Sequence, residues 1–283
     1  MSEFVVLPKR KNEAWISEFS TENLKLSLRI KNIIHVEKTP YQDLLIADSY
    51  EYGRVLLLDG AFQLTERDEF CYSEMMSHVA LCSRVNPEKV LIIGGGDGAI
   101  LREVMKHQNV KRCVLIDIDE RVIECSKKYL PQQSVAFNDL RADVKCMDAN
   151  KFIQDAGEKF DVVIIDSTDP VDFAATLFQA KFYDAVRKIM NDDGMLVELT
   201  ESPFVDYKVM TQATKQMREV FPIVKNYWGA VPTYPSGMWT YGIASLKTDP
   251  SLPVREVQNT RYYTNEIHKA SFILPPFLKE LLS

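Results

Sequence analysis

Residues 90–104, VLIIGGGDGAILREV, leave a chain few options: an apolar run, four glycines in five positions and then a helix-forming stretch. The succession reads as a buried strand that turns sharply into the first turn of a helix. Gly94, Gly95, Gly96 and Gly98 carry no Cβ, so backbone there can pass very close to a ligand. Asp97 sits inside the turn. A loop built to cradle phosphate would not place a fixed negative charge there, whereas a nucleoside bearing a positive group would welcome it. S-adenosylmethionine and its decarboxylated form, both sulfonium nucleosides, fit. The alternatives are a plain tight turn or a dinucleotide fingerprint, although GGGDG does not follow the dinucleotide spacing.

The following apolar run, CVLIDID at 113–119, ends in acid. In nucleotide-binding α/β folds an acid about 20 residues past the glycines accepts hydrogen bonds from ribose hydroxyls, which makes Asp117 the candidate. Asp119 reads instead as a cap for a helix over 120–129. Asp148, after VKCM, stands where an adenine amino group could be read, or where a helix begins.

From residue 89 onward strands and helices alternate. Strands are expected at 89–93, 112–116, 143–147, 161–165, 194–200, 222–229 and 239–246, and helices at 98–107, 119–129, 150–155, 179–190 and 205–219. That order predicts an α/β fold, a mainly parallel sheet with helices on both faces. Right-handed crossovers collect the C-terminal strand ends on one edge, where ligands bind. Gly94–Gly98, Asp117, Asp148 and Asp166 all fall at such ends. The first 80 or so residues differ. Short strands at 24–36, 42–48, 53–58 and 61–65, with a hairpin signal at Asp59-Gly60, predict a small antiparallel sheet. Residues 66–83 then place Phe70, Met75, Met76, Val79 and Leu81 at helical spacing.

The chain has 283 residues, 46% of them hydrophobic, enough for one large domain and a smaller one. A net charge of −6 argues against nucleic acid as the main partner. Cys71, Cys82, Cys113, Cys125 and Cys146 show no CxxC spacing and read as reduced, buried thiols of a cytoplasmic protein. The four histidines show no metal spacing, so no metal is expected. The N-terminus lacks a signal-peptide layout, and no apolar run approaches the ~20 residues of a membrane span.

FDVVIIDSTDP, residues 160–170, is the second strong segment: a buried strand ends in Asp166, and Asp169 follows on the same loop. Two carboxylates at a ligand edge suit binding and deprotonating an amine. The structural alternative is that Asp169 caps a turn before Pro170 and Asp166 merely ends the strand. Tyr72 in the helix after the small sheet, and Tyr234 in the Pro- and Gly-punctuated loop before Trp239, offer aromatic faces for an alkyl chain and a cation.

Taken together, YQDL (41–44), YGRVLLLDG (52–60), QLTERDEFCYSEM (63–75), GGGDG, DSTDP (166–170), PTYPSG (232–237) and YYTNEIHKASFILP (262–275) resemble the polyamine aminopropyltransferases, over essentially residues 15–283. The resemblance implies a β-domain over 1–65 and a Rossmann-like, methyltransferase-type catalytic domain over 66–283. It implies transfer of an aminopropyl group from decarboxylated S-adenosylmethionine, a co-substrate rather than a tightly bound cofactor, to a diamine, usually putrescine. By position, Gln42, Gln63, Gly94, Gly96, Asp97, Asp117 and Asp148 match donor contacts. Asp97 would hold the donor's amine, Asp117 the ribose and Asp148 the adenine. Asp166 matches the proposed base, Asp169 its gate-loop partner, and Tyr72 and Tyr234 the residues that orient the attacking amine. Trp15, Glu18, Glu201 and Trp239 match the acceptor slot. A homodimer or dimer of dimers, joined at least partly through the N-terminal sheet, is implied. The gate loop departs from the family pattern: residues 171–178 read VDFAATLF, without the usual Gly-Pro and Glu. Agmatine as acceptor, or intact S-adenosylmethionine as donor, is therefore an alternative expectation. Asp97 should repel a donor carboxylate unless that group points elsewhere. Asp97, Tyr72 and Asp166 together disfavour methyl transfer and a merely binding role.

Overall fold

Two kinds of strand build two sheets in the computed structural model, which describes residues 13–166 and 179–283. The first sheet holds β1 (Ala14–Thr21), β2 (Leu24–Lys38), β3 (Asp43–Ser49), β4 (Arg54–Leu58) and β5 (Ala61–Thr65), of which β1 and β2 are the most exposed. They pair antiparallel in chain order. The second is built of β6 (Lys89–Gly94), β7 (Arg112–Asp117), β8 (Ala142–Cys146), β9 (Phe160–Asp166), β10 (Met190–Leu199), β11 (Ile223–Ala230) and β12 (Met238–Ser245), with unbroken apolar runs in β6, β7 and β9. Its order is β11-β12-β10-β9-β6-β7-β8. All pairs from β10 to β8 are parallel, and β12 runs antiparallel between β10 and β11. This is the mixed, mostly parallel sheet of a methyltransferase-like fold.

Parallel strands covered on both faces read as unbroken apolar runs because both sets of side chains are buried. Period-two alternation then splits them between two cores. Val90, Ile92, Val162 and Ile164 enter one, and Leu91, Ile93, Val163 and Ile165 the other. Helices α1 (Glu69–Cys82), α2 (Ala99–Met105), α3 (Glu120–Tyr129), α4 (Ala149–Asp155), α5 (Ala180–Lys188) and α6 (Tyr207–Val220) lie within a few residues of the expected spans.

Several expectations need correction. β1 stands outside the expected strands, because its alternation is weak and much of it is exposed. β10 starts at Met190 rather than 194, and two short C-terminal helices, α7 (Asn265–Ser271) and α8 (Pro276–Leu281), add to the expected set. Helix α1 falls within the expected 66–83 span, and all its residues except Phe70 are buried. Cys146 is exposed, unlike the other four thiols. Folding also brings His35, Glu37 and Cys125 together, their ligand-type atoms within 4.8 Å of one another, a grouping no sequence spacing announces. Arg121 already holds Glu37 through two bonds of 2.7 and 2.8 Å, so the cluster reads as an ion pair. Among the described residues no helix is long and apolar enough to cross a membrane.

Glu74, buried in α1, accepts the backbone N–H groups of Arg261, Tyr262 and Tyr263, each at 2.8 Å. One carboxylate thus docks the C-terminal segment onto the helix. Glu74→Ala should cost about 3 kcal/mol by leaving three donors unpaired, read as a lowered midpoint in denaturant unfolding; an unchanged midpoint would remove Glu74 from this role.

Candidate active site

Strands β6 and β9 are neighbours, and their register sets Gly94 beside Asp166 at the C-terminal edge of the sheet. The glycine turn then crosses directly over the acid. Gly95, at φ +74°, donates its N–H to the Asp166 carbonyl at 3.2 Å, and a Cβ there would lie 3.2 Å from Asp166 Oδ2. From α1 the Tyr72 hydroxyl donates to Asp166 Oδ1 at 2.5 Å. Tyr234, from the loop between β11 and β12, donates its hydroxyl to the Gln63 carbonyl at 2.7 Å. Its ring lies 5.7 Å from that of Tyr72 and meets Trp239 edge-on at 5.0 Å. Trp239 is itself fixed by Nε1–H donation to the Pro235 carbonyl at 3.0 Å. It therefore backs Tyr234. Among the described residues, Gln63, Tyr72, Asp97, Asp166 and Tyr234 line one partly open cavity, with Asp68 and Glu69 in its wall.

The cavity gathers negative charge. Burial pushes the Asp166 carboxyl up to about 8, the neighbouring Asp97 adds to this, and the Tyr72 hydrogen bond opposes it. Burial likewise raises Asp97 to about 6, against the Ala99 N–H that its Oδ1 accepts at 2.7 Å. Burial and then the Asp166 charge hold the phenols of Tyr72 and Tyr234 well above their usual value, so both remain hydrogen-bond donors. Glu69 is answered by Arg102, whose Nη2 lies 2.9 Å from each of its oxygens. A cation brought beside such carboxyls favours their ionised form and takes the place of the proton.

The nucleoside candidates form a second, connected group. Asp117 Oδ2 accepts the Gly96 N–H at 2.9 Å, and its Oδ1 accepts the Asp119 N–H at 2.8 Å. Burial raises its carboxyl to about 6, against those bonds. A Cβ on Gly96 would sit 2.6 Å from Asp117 Oδ2, so only glycine allows this approach. Asp119 caps α3 through Arg121 N–H, as expected, and also accepts Thr39 Oγ1 at 2.7 Å and Gln42 Nε2 at 2.9 Å. Gln42 is thereby tied to the acids at the end of β7. Gly94 closes β6 at φ +83°. Asp148 caps α4, accepting from Asn150 N at 2.7 Å and Lys151 N at 3.2 Å, the helical one of its two readings.

Trp15, Glu18 and Glu201 are not among the residues lining the cavity. Trp15 is 54% exposed on β1, and Glu18 accepts the Phe62 N–H at 2.7 Å. Glu201 is buried at φ +74°, and its carbonyl accepts from Thr240. Asp169 and the unusual 171–178 stretch lie outside the described residues. Sequence reasoning missed Asp68, Glu69 and Arg102. The acidic pair Asp68-Glu69 at the start of the helix was the available signal.

Known proteins resemble this chain along its length. Residues 69–254 match the spermine/spermidine synthase domain, and residues 14–66 the spermidine synthase tetramerisation domain. The polyamine aminopropyltransferase of Thermoanaerobacter pseudethanolicus is 48% identical over 272 residues, 95% of this chain and 98% of that protein. The Bacillus subtilis protein of the same name is 41% identical over 275 residues, 96% of this chain and 99% of its own. A crystal structure of spermidine synthase with the transition state analogue AdoDATO superimposes with a TM-score of 0.92 at 39% identity, covering 98% of this chain and 97% of the other. Spermidine synthase from Thermotoga maritima gives 0.91 at 40%, covering 96% and 95%.

The raised carboxyls carry a stability signature. Asp166 at about 8 and Asp97 and Asp117 at about 6 stand above the ordinary 3.8, so between those values the folded chain binds more protons than the unfolded one. Stability of the ligand-free protein therefore falls as pH rises through that window. Thermal unfolding should show Tm declining from pH 4 to 8, and Asp166→Asn should flatten the part between 6 and 8. An unaltered slope in that variant would assign the decline to other groups.

Proposed function

The chain belongs to the spermine/spermidine synthase family, and from that premise we propose that it transfers the aminopropyl group of decarboxylated S-adenosylmethionine to putrescine, forming spermidine and methylthioadenosine. The observation that carries this reading is that Asp97 and Asp166 line one cavity and that burial holds both carboxyls above their ordinary value. Such a cavity calls for cationic nitrogen. Asp97 then binds the ammonium of the donor's three-carbon arm. A donor that kept its carboxylate would bring like charge against it, which favours the decarboxylated form.

The acceptor amine lies between the hydroxyls of Tyr72 and Tyr234. Its nitrogen lone pair attacks the propyl carbon bonded to sulfur. The carbon–sulfur bond breaks, its electron pair stays on sulfur, and neutral methylthioadenosine leaves. The proton shed by nitrogen passes to Asp166, whose raised affinity for it matches the task. Tyr72, donating to Asp166, fixes the oxygen that receives it. The leaving group is already activated, so approximation and orientation supply much of the acceleration. On the nucleoside side, Asp117 takes the ribose hydroxyls, with Gln42 nearby and Asp148 toward adenine.

Copies of the chain associate, in this reading, through the N-terminal sheet as a dimer or dimer of dimers. Trp15, Phe19, Ile33 and Val36 leave 54%, 68%, 57% and 64% of their surface open there, and the matching family domain is named for tetramerisation.

The function is tested by mass spectrometry of products. Decarboxylated and intact S-adenosylmethionine are offered separately, each with an equimolar mixture of putrescine, cadaverine, agmatine and spermidine. Spermidine and methylthioadenosine from the decarboxylated donor alone are expected; a carboxylated product, or aminopropylagmatine as the main one, would overturn the substrate assignment. Two variants separate the roles. Asp166→Asn should lower turnover about a hundredfold or more while methylthioadenosine binding stays close to native. Asp117→Ala should do the reverse, weakening that binding about tenfold or more through loss of a charged hydrogen-bond acceptor; calorimetry showing equal affinity would reject the ribose role.

A further inference from the structure

Asp68 immediately precedes α1, the place where an aspartate ordinarily accepts the first free N–H groups of a helix. Here its side chain makes no such bond. It is 4% exposed and turned the other way. Oδ1 accepts the Thr65 hydroxyl at 2.5 Å. Oδ2 accepts both the Thr233 N–H at 2.8 Å and the Thr233 hydroxyl at 2.6 Å, across 165 residues of chain. A residue that forgoes its local role for a distant one marks a place where function has overridden local preference.

What Asp68 grips is the loop over 231–237, and Tyr234 is the next residue along. The loop is internally closed by Tyr234 N–H to the Val231 carbonyl at 3.0 Å and Gly237 N–H to the Tyr234 carbonyl at 2.9 Å. It reaches across the cavity at two points, Thr233 to Asp68 and Tyr234 to the Gln63 carbonyl. Gln63 and Thr65 stand on one strand, β5, and Thr65 holds Asp68, so the Tyr234 contact lands on that strand and the Thr233 contact is tied to it through Asp68. We propose that Asp68 is a positioning residue for the acceptor amine: its carboxylate clamps the loop that carries Tyr234 onto the end of β5, and so sets the distance between the hydroxyls of Tyr234 and Tyr72. This rests on the aminopropyl-transfer reading above. With three donors already on its two oxygens, Asp68 acts through Tyr234 rather than as a further ammonium ligand.

The distinction between clamp and charge is testable. In Asp68→Asn the amide oxygen can accept both Thr233 bonds while its NH2 faces the Thr65 hydroxyl, which can turn to accept. Asp68→Ala offers nothing to either threonine, and Thr233→Val removes one bond from the other side. Native protein, these three variants and their Tm values are compared in steady-state assays with decarboxylated S-adenosylmethionine and putrescine, alongside methylthioadenosine titrations. Asp68→Ala and Thr233→Val are expected to lower kcat/KM for putrescine about tenfold or more and about threefold, with the methylthioadenosine Kd within twofold of native. Asp68→Asn should recover most of the loss seen with alanine. Asparagine as damaging as alanine would make Asp68 a charge and overturn the clamp. So would an unchanged putrescine kcat/KM in Asp68→Ala or, should that variant not fold, in Thr233→Val. A parallel loss of methylthioadenosine affinity would mark the contact as general scaffolding and would equally defeat the clamp. Native protein that forms no spermidine would instead defeat the underlying reaction, a result distinct from all of these.

Discussion

A helix with no face to water must find a partner for every polar side chain it carries, and that demand on α1 organises this protein. Ser73 bonds back to Glu69, and Ser77 reaches the Ile100 carbonyl at 3.4 Å. His78 lies 3.0 Å from both Glu103 and His107. Burial holds His107 neutral, its value lowered to about 3, and its Nδ1 has no partner among the described residues. The network is then satisfied when His107 donates from Nε2 to His78, and His78 donates from Nε2 to Glu103. Glu103 in turn meets Arg102, which also holds Glu69 at the cavity wall. The helix is pinned to α2, to the C-terminal segment and to the sheet. Tyr72 consequently reaches Asp166 from a rigid base, as a positioned proton donor requires.

The same burial that makes α1 demanding sets the chemistry beside it. Carboxyls removed from water resist ionising, and neighbouring charge adds to this: Asp117 raises Asp97, and Asp97 and Asp117 raise Asp166 further. Glu69 would add a fourth charge, but Arg102 matches it. The charge left for a ligand is therefore concentrated on the acids at the glycine turn and the ends of β7 and β9. In the proposed reaction those acids face the donor's ammonium, its ribose and the attacking amine respectively.

The parallel half of the fold was legible because doubly covered strands leave unbroken apolar runs, as in VLII of β6 and VVII of β9. The glycine turn was legible because backbone passing within contact of Asp117 and Asp166 tolerates no side chain. β1 was not, since a partly exposed strand carries little pattern. Nor was the burial of α1. Ser73, Glu74, Ser77 and His78 look like a wet face until their partners, some of them nearly 190 residues away, are in place. Asp68 shows the limit most clearly. Its sequence context specifies a helix cap, and only the fold supplies Thr233. Asp148 shows the converse, a residue whose local reading as a cap is what the structure displays.

The glycine turn, Asp117 and Asp148 stand at ends of parallel strands, whose crossovers run through helices packed on the sheet, whereas Tyr234 rides on the tip of the antiparallel β11–β12 hairpin. A crossover can hardly be altered without dismantling the core, but hairpin tips accept exchange readily. In the proposed reaction the molecule is thus divided by evolvability: the residues assigned to the nucleoside are locked by topology, as are Tyr72 and Asp166, whereas Tyr234 hangs on a short, editable loop. If the proposed reaction holds, a lineage built on this scaffold can alter its amine preference through that loop while the strand-end acids stay in place.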